Sequence, residues 1–379
     1  MTQVQKTLIN LVKYALKKDT LPEQFRAMTT EEKLDIIEYA KKQGLLPFLQ
    51  YFDIFSAGDI REKFLQQLVG YVYADTRQKE EIRDLLDEFE KNRIFCMPLK
   101  GIRTKEYYPA TELRTMGDLD FLYKKEQTLE LKEVMKSLGF EYEGEASKHD
   151  HYRKNGLTVE MHKSLVPAES KAYRYFQDSW KRATPEKEYI YQMSLEDHYI
   201  YTLYHLIEHF IRGGIGIRMV LDIYILSNQP QIDHEYIKNE LETLGIKKFE
   251  ENISHLSKVW FEDEAYNQKD LELETYIVNG GIFGKEDNMI KNSKALYRSG
   301  TGFLIHTIFP SYRSMQTVFS WLRNPLLLPV AWVVRFKNVW TKRRQNIHLQ
   351  FERASKIKTE EKESVQQQRE FFKRMGLYL

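Results

Sequence analysis

Apolar residues recur at helical spacing through the first 92 residues of the chain. The stretch that begins at Thr29 opens with a capping box, because Glu32 follows the N-cap threonine by three residues, and its apolar positions then share one side. A longer amphipathic stretch follows and ends in a run of charged residues. We therefore predict a helical region over residues 1–92.

Short apolar runs replace this periodicity from residue 93. Residues 93–101 are typical of a buried strand that enters a turn, and residues 118–123 are typical of a second strand. Residues 125–140 predict a helix, and residues 149–165 predict two paired strands. This pattern indicates a small α/β-type unit over residues 93–166.

Helical periodicity returns after about residue 185. Ser194 is a candidate N-cap, and Gly213-Gly214 is a candidate helix end. The remainder of the chain to Leu379 is predicted to be helical and ends in a highly charged tail. The predicted fold class is therefore α+β, with a small mixed-sheet core embedded between mostly helical N- and C-terminal regions. The predicted domains are residues 1–92, 93–166 and 185–379.

The composition narrows the function classes only slightly. Lys and Arg number 57 and Asp and Glu number 55, so the overall charge indicates no partner. Cys96 is the single cysteine, which excludes an internal disulfide and any zinc site built from several cysteines. Polar residues interrupt the first apolar stretch, unlike the core of a signal peptide, and we expect a cytoplasmic protein.

The longest apolar run lies near the C-terminus, from Pro325 to Val334. It is too short to span a bilayer, which needs about 20 residues. Residues 335–344 then carry basic side chains and no acidic one. We interpret this segment as a buried run followed by a solvated helix. The alternative is a peripheral contact of residues 325–344 with a membrane surface or a polyanion.

Two carboxylates, Asp118 and Asp120, stand two residues apart in a predicted strand and therefore share one of its faces. At a separation of roughly 6–7 Å they repel by about 2–3 kcal/mol at an effective dielectric constant near 20. Glu160 lies in another predicted strand. If the two strands pair, three carboxylates converge, and hard divalent cations such as Mg²⁺ or Mn²⁺ would relieve their repulsion.

Basic groups that could hold phosphate lie nearby in the sequence. The Lys100-Gly101 turn follows a predicted strand and offers backbone N–H groups and an ammonium. Arg114 offers a bidentate contact to phosphate oxygens. Together with paired metal ions, these groups would suit an in-line phosphoryl displacement.

The order of these motifs resembles a known family. It is similar to the bacterial nucleotidyltransferase family typed as uncharacterised, within the DNA polymerase beta-like superfamily. Two later helical stretches also resemble that family, so the resemblance covers roughly residues 93–335. The motifs that carry it are PLKG, YYP, RTMGDLDFLY and TVEMH.

The resemblance implies an enzyme that moves a nucleoside monophosphate from an NTP donor to an acceptor hydroxyl and releases pyrophosphate. It implies that Asp118, Asp120 and Glu160 bind the metal ions and act in catalysis, and that the Lys100-Gly101 turn holds the triphosphate. The acceptor would be a small molecule, a peptide or a protein. An RNA end is the less favoured alternative, since the balanced charge disfavours long nucleic acid.

His162 shares a strand face with Glu160. We interpret it either as a core histidine or as a group that contacts the nucleotide or the acceptor. His149 and His151 also share a strand face, and we interpret them as a surface pair rather than a metal site.

Two other functions remain open at this point. The superfamily has serine after the glycine of the turn, whereas this chain has Ile102, which leaves room for a catalytically inactive binding module. His205 to His209 reads His-x-x-Glu-His, a pattern by which a helix can hold zinc in a metallopeptidase. That site would need a third ligand, for which Glu272 or Glu274 is the candidate.

Overall fold

The computed structural model describes residues 1–145, 148–280, 321–342 and 362–378, together with scattered positions between residues 292 and 319. The helices of more than one turn are α1 (Gln3–Lys17), α2 (Glu23–Arg26), α3 (Thr30–Gln43), α4 (Arg61–Lys91), α5 (Lys100–Thr104), α6 (Thr128–Ser137), α7 (Tyr173–Phe176), α8 (Ser179–Arg182), α9 (Leu195–Arg212), α10 (Ile217–Ser227), α11 (His234–Leu244), α12 (Lys247–Glu262), α13 (Gln268–Gly280), α14 (Leu328–Lys342) and α15 (Lys362–Arg374). The strands are β1 (Cys96–Pro98), β2 (Asp118–Tyr123), β3 (Glu141–Glu145), β4 (His149–Lys154), β5 (Leu157–His162), β6 (Thr184–Pro185) and β7 (Tyr191–Gln192).

The N-terminal region is helical, and its capping box forms as the sequence predicts. The Thr29 hydroxyl accepts a hydrogen bond from the Glu32 backbone N–H, and the Glu32 carboxylate accepts one from the Thr29 N–H. α3 ends at Gly44, whose positive φ of 65° is a backbone conformation that glycine adopts without strain. α4 ends at Lys91, so the predicted boundary at residue 92 falls in the connection to the sheet.

A five-stranded mixed sheet with the order β1-β2-β5-β4-β3 occupies the middle of the chain. β2 and β5 are parallel, and the other neighbouring strands are antiparallel. The predicted α+β class is confirmed. β4 and β5 form the predicted pair through Asn155 and Gly156, which both have positive φ as a tight hairpin turn requires. β3 was not predicted.

Alternation along the strands gives the sheet two different faces. Leu119, Phe121 and Tyr123 of β2 point to one face and pack with Val159 and Met161 of β5. Helices α4 and α6 cover this apolar face. The intervening residues point to the other face, which therefore carries the carboxylates.

The helical regions that precede and follow the sheet in the sequence share one hydrophobic core. Leu11 of α1, Ile37 of α3, Leu203 of α9 and Phe249 of α12 belong to it and are fully buried. Leu122 of β2 joins the same core from the sheet. The second face of the sheet therefore lies against helices that come from both ends of the chain. α9 begins after Ser194, whose hydroxyl accepts from the Asp197 N–H, and ends before Gly213 as predicted.

The segment from residue 325 onward differs from the predicted buried run. Ala331 is buried, but Leu326 is 84% exposed and Val333 is 66% exposed. The expectation of a buried segment is therefore wrong for most of the described part of it, and residues 343–344 lie outside the described residues. Among the helices that the structure describes, none combines the length and the apolar character needed to cross a membrane.

Candidate functional site

The three predicted carboxylates meet on the polar face of the sheet. Parallel pairing of β2 and β5 sets Asp120 opposite Glu160 and Asp118 opposite Thr158. Asp118, Asp120 and Glu160 each offer an oxygen, and these oxygens all lie within 4.8 Å of one another. The expected strand pairing is therefore present, and an all-oxygen donor set of this kind fits Mg²⁺ or Mn²⁺.

Two cationic or hydrogen-bonding groups already contact the most buried carboxylate. Lys100 Nζ lies 2.6 Å from Asp120 Oδ1, and His162 Nε2 lies 2.8 Å from the same oxygen. His162 Nε2 is also 3.3 Å from Glu160 Oε2. Asp120 and His162 are buried. These contacts explain how two aspartates on one strand face are tolerated in the folded chain.

The carboxyl groups respond differently to this environment. Burial, together with the charges of Asp120 and Glu160, raises the pKa of Asp118 to about 6. Burial alone would also raise the pKa of Asp120, but the Lys100 charge and the His162 contact outweigh it and hold that pKa well below its usual range. Burial disfavours the charged form of Lys100, yet the Asp120 carboxylate raises its pKa above the usual lysine value.

The turn at Lys100 and Gly101 has an unusual backbone conformation at the first residue and close packing at the second. Lys100 has a positive φ of 45°, which is uncommon for a residue with a side chain. At Gly101 a Cβ atom would come within 2.6 Å of Met116 Sδ, so the turn accommodates only glycine without rearrangement. Ile102, in contrast, is buried in the core on the apolar face of the sheet and does not line the cleft.

The carboxylates and the turn line a cleft of about 300 Å³ between the sheet and helices α9 and α10. The predicted site residues that line this cleft are Lys100, Gly101, Arg114, Asp118, Asp120 and Glu160. His162 does not line the cleft and reaches the site through its contacts with Asp120 and Glu160. The cleft residues from the two helices are Thr202, His205, Leu206, Glu208, His209, Arg212, Arg218, Met219 and Asp222.

Helix α9 supplies a polar stripe to this cleft. His205, Glu208, His209 and Arg212 follow helical spacing and face the sheet. Glu208 pairs with Lys148 at 3.3 Å. Burial, with the charges of Lys100 and Arg212, lowers the pKa of His209 to about 4. The stripe could have been read from the sequence, because the His-x-x-Glu-His pattern already places these groups on one side of a helix.

The two glutamates that were candidates for a third zinc ligand have other partners in the structure. Glu272 pairs with Arg374 at 2.8 Å, and Glu274 accepts hydrogen bonds from Tyr266 and from the Trp260 indole. Within the described ranges, the groups that could hold a metal ion include neither His205 nor His209.

Arg114 lines the cleft, but its guanidinium is occupied. It donates two hydrogen bonds to the Asp222 carboxylate of α10, at 3.0 and 2.8 Å, and Tyr108 donates a third to the same group. Arg218 of α10 lies beside it and was missed in the sequence. Its Nη1 donates to the Thr115 carbonyl at 2.8 Å, whereas its buried Nε has no partner among the described residues. Burial and the Arg114 charge lower the pKa of Arg218 to about 10.

The histidines of β4 lie closer to the carboxylates than a surface pair would. His149 lines the cleft, with its Nε2 atom 3.5 Å from Glu160 Oε1. Its ring centroid is 4.7 Å from that of His162. Burial and the neighbouring His162 lower the pKa of His149 to about 3. The interpretation of His149 and His151 as a surface pair is therefore wrong for His149.

One comparison with known proteins finds a match. The model of a family described as uncharacterised nucleotidyltransferase matches residues 30–262, which is more than half of the chain. The match begins earlier and ends earlier than the expected span of residues 93–335, and it includes α3, α4 and every residue that lines the cleft. No curated protein and no solved structure matches the chain.

Proposed function

The chain belongs to this nucleotidyltransferase family, and on that premise we propose that it is a metal-dependent enzyme that transfers a nucleoside monophosphate from an NTP to an acceptor hydroxyl. The observation that carries the proposal is the convergence of three carboxylate oxygens within 4.8 Å on one wall of a cleft. In this reaction a bond forms between the acceptor oxygen and the α-phosphorus. The bond from that phosphorus to pyrophosphate breaks, and the hydroxyl proton leaves.

Asp118, Asp120 and Glu160 are the residues that would hold the metal ions. Bound Mg²⁺ or Mn²⁺ would lower the pKa of the acceptor hydroxyl and offset the charge on the leaving oxygens. Asp120 is held in its ionised form by Lys100 and His162, which keeps a negative ligand at the base of the cleft. Glu160 is the candidate base for the hydroxyl proton.

Positive groups in the same cleft suit the triphosphate. The Lys100-Gly101 turn lies beside the carboxylates, and Arg218 carries a guanidinium whose Nε is unpaired among the described residues. Arg114 is already bound to Asp222, so in our proposal it orients that wall and Arg218 makes the direct phosphate contact. The acceptor would enter along α9, between Glu208, His209 and Arg212.

The experiment that tests transfer follows the α-phosphate and the γ-phosphate separately. The protein is incubated with Mg²⁺ or Mn²⁺, an NTP labelled at one position or the other, and a cell extract as the source of acceptors, heated beforehand to inactivate its own enzymes. We expect the α-label to move to an acceptor and the γ-label to leave as pyrophosphate, with neither event in Asp118→Asn. Transfer of the γ-label to an acceptor would contradict the proposal and indicate a kinase.

The second candidate is an inactive binding module, and Ile102 is the observation that favours it. Ile102 is buried in the core, so it supplies no hydroxyl to the phosphates at the position where the superfamily has serine. This candidate predicts metal-dependent binding of an NTP without movement of either label. The labelling experiment therefore separates the two functions.

A further inference from the structure

Strands β4 and β5 bring a second set of metal-ligating groups together beside the three carboxylates. Their antiparallel pairing sets His149 opposite His162 and His151 opposite Glu160. Directly opposed residues share a sheet face, so all four side chains lie on the face that looks toward the cleft. His162 is fully buried, and the side chain of His149 is 14% exposed.

The distances within this set are close to those of a metal site. His149 Nε2 lies 3.5 Å from Glu160 Oε1, and His162 Nε2 lies 3.3 Å from Glu160 Oε2. One ligand atom from each of these three residues lies within 4.8 Å of the other two. Ligands at about 2.0–2.1 Å from a tetrahedral Zn²⁺ stand about 3.4 Å apart. The two distances from the histidine Nε2 atoms to Glu160 already match this spacing.

The Nε2 atoms of His149 and His162 both face Glu160. The Nδ1 atoms of His149 and His162 are buried and have no hydrogen-bond partner among the residues that the structure describes. These Nδ1 atoms are not the ring atoms that face Glu160, so the site rests on the positions of the two Nε2 atoms. If His162 Nε2 turned to a cation, Asp120 would keep its contact with Lys100 at 2.6 Å, and no buried carboxylate would be left unpaired.

We infer that His149, Glu160 and His162 form a binding site for a transition-metal dication of the Zn²⁺ type, which shares Glu160 with the all-oxygen set. Two imidazoles and one carboxylate suit Zn²⁺ and its chemical neighbours, whereas Mg²⁺ takes oxygen ligands. His151 Nε2 lies 3.0 Å from His149 Nε2, and His149 would give up this hydrogen bond when it binds the metal ion. The inference concerns metal binding and does not depend on the proposed transfer reaction.

The test uses Co²⁺ as a spectroscopic substitute for Zn²⁺. The full chain is stripped of metal with a chelator and titrated with Co²⁺ in the presence of excess Mg²⁺, while visible absorption is recorded. We expect one Co²⁺ per chain, with the intense visible bands that imidazole ligands at low coordination number produce. His149→Gln should weaken Co²⁺ binding by more than about 100-fold, because even outer-shell partners of metal ligands are worth about 10–100-fold.

Substitutions of histidines inside and outside the proposed site test it separately. His149 lies at the edge of the cleft, so His149→Gln should keep the far-ultraviolet circular dichroism of the wild type, and His162→Gln provides a second test of the same site. His205→Gln is the matched control, because that histidine lines the same cleft from α9. Co²⁺ binding that survives His149→Gln, that is lost in His205→Gln, or that Mg²⁺ displaces would overturn the inference.

Discussion

At the scale of single residues, Lys100 is the group that makes the carboxylate site stable in the absence of metal ions. Its ammonium contacts Asp120, and both side chains are largely buried, so neither charge is well hydrated. Removal of one partner from such a pair leaves the other charge uncompensated, whereas removal of both is much less costly. The stability cost of replacing Lys100 therefore depends on whether Asp120 is present.

This dependence gives a prediction for a double-mutant cycle. Lys100→Met is expected to lower the free energy of unfolding by about 3 kcal/mol, because Asp120 is left buried beside two other carboxylates, with His162 as its remaining hydrogen-bond partner among the described residues. In the Asp120→Asn background the same substitution should cost less than about 1 kcal/mol. Urea unfolding of the four proteins without metal measures both values. Equal costs in the two backgrounds would show that the ion pair contributes nothing.

Gly101 gives a second prediction at this scale. Gly101→Ala should destabilise the protein by about 1–3 kcal/mol, because the new Cβ meets Met116 Sδ at 2.6 Å and Cγ at 2.8 Å. Gly117→Ala is the matched control, since a Cβ there meets nothing within 4 Å, and it should change stability by less than about 0.5 kcal/mol. Similar melting temperatures for the two variants would contradict the close packing at the turn.

The residue types of the site could be predicted from the sequence, but their partners could not. Asp118 and Asp120 share a face because strand side chains alternate, and that follows from local spacing alone. The Lys100–Asp120 contact depends on how the turn folds back over β2. The position of Arg218 depends on the packing of α10, which lies more than a hundred residues after Arg114 in the sequence. Such long-range contacts leave no local pattern.

At the scale of secondary-structure elements, α9 connects the turn helix α5 to the rest of the protein. His198 of α9 is buried, and its Nε2 atom lies 3.0 Å from Thr104 Oγ1 of α5. The Thr104 hydroxyl donates to the Lys100 carbonyl, so it accepts from a neutral His198 that carries its proton on Nε2. This chain of hydrogen bonds fixes the turn that we propose to bind the triphosphate.

The neutral state of His198 predicts a pH dependence of stability. Burial, with the charge of Arg103, lowers the pKa of His198 to about 3, below the value of about 6.5 in an unfolded chain. Between these values the unfolded chain binds more protons, so folding stability is lost as the pH falls below about 6.5, by about 1.4 kcal/mol per pH unit. His198→Gln removes this contribution.

The measurement compares the free energy of unfolding of the wild type and of His198→Gln at pH 7.5 and pH 5.5. The histidines of the cleft remain in both proteins, so the difference between the pH dependences of the two proteins isolates His198. A variant that loses as much stability as the wild type over this range would show that His198 is not held neutral.

Helix α14 gives a prediction for the possible membrane contact of the segment that begins at residue 325. Its exposed apolar side chains are Val330, Val333 and Phe336, and Leu326 in the turn before the helix continues the same spacing. Basic residues of the segment 325–342 lie next to this stripe. An exposed apolar stripe with basic neighbours is typical of a helix that lies on an anionic membrane surface. We expect the protein to float with vesicles of anionic phospholipid and not with vesicles of phosphatidylcholine.

The control for this surface is Val330→Glu/Val333→Glu, which places two acidic groups on the stripe and should abolish flotation. Unchanged flotation of this variant, or no flotation of the wild type, would contradict a membrane contact through α14. The sequence pointed to this segment through its apolar run and its basic residues. It did not show which apolar side chains are exposed, because that depends on the neighbours they pack against.

At the scale of the whole molecule, the sheet lies between two helical layers of different character. The face against α4 and α6 is apolar and closed, whereas the face toward α9 and α10 carries the carboxylates and the cleft. Helices from both ends of the chain share one core around this second face. The family match from residue 30 to residue 262 covers the sheet and helices α4, α6, α9 and α10, whereas α1 lies outside it.

The order of helical, mixed and helical regions could be predicted from hydrophobic periodicity, and so could the α+β class. The sharing of one core by α1, α3, α9 and α12 could not, because amphipathic helices show which face is buried but not which partner buries it. β3 was missed for a related reason. Its sequence, EYEGE, has few apolar positions, and it forms by pairing with β4 at the edge of the sheet.

The central claim, that Asp118 and Asp120 hold metal ions for a bound NTP, is tested most directly by thermal melting. The wild type and Asp118→Asn/Asp120→Asn are each melted with ATP, CTP, GTP or UTP, with and without Mg²⁺ or Mn²⁺. A ligand at about a hundred times its dissociation constant adds about 2.7 kcal/mol of stability, which is a clear shift. We predict a metal-dependent shift with at least one NTP in the wild type and none in the variant. No shift with any NTP, or an equal shift in the variant, would contradict the claim.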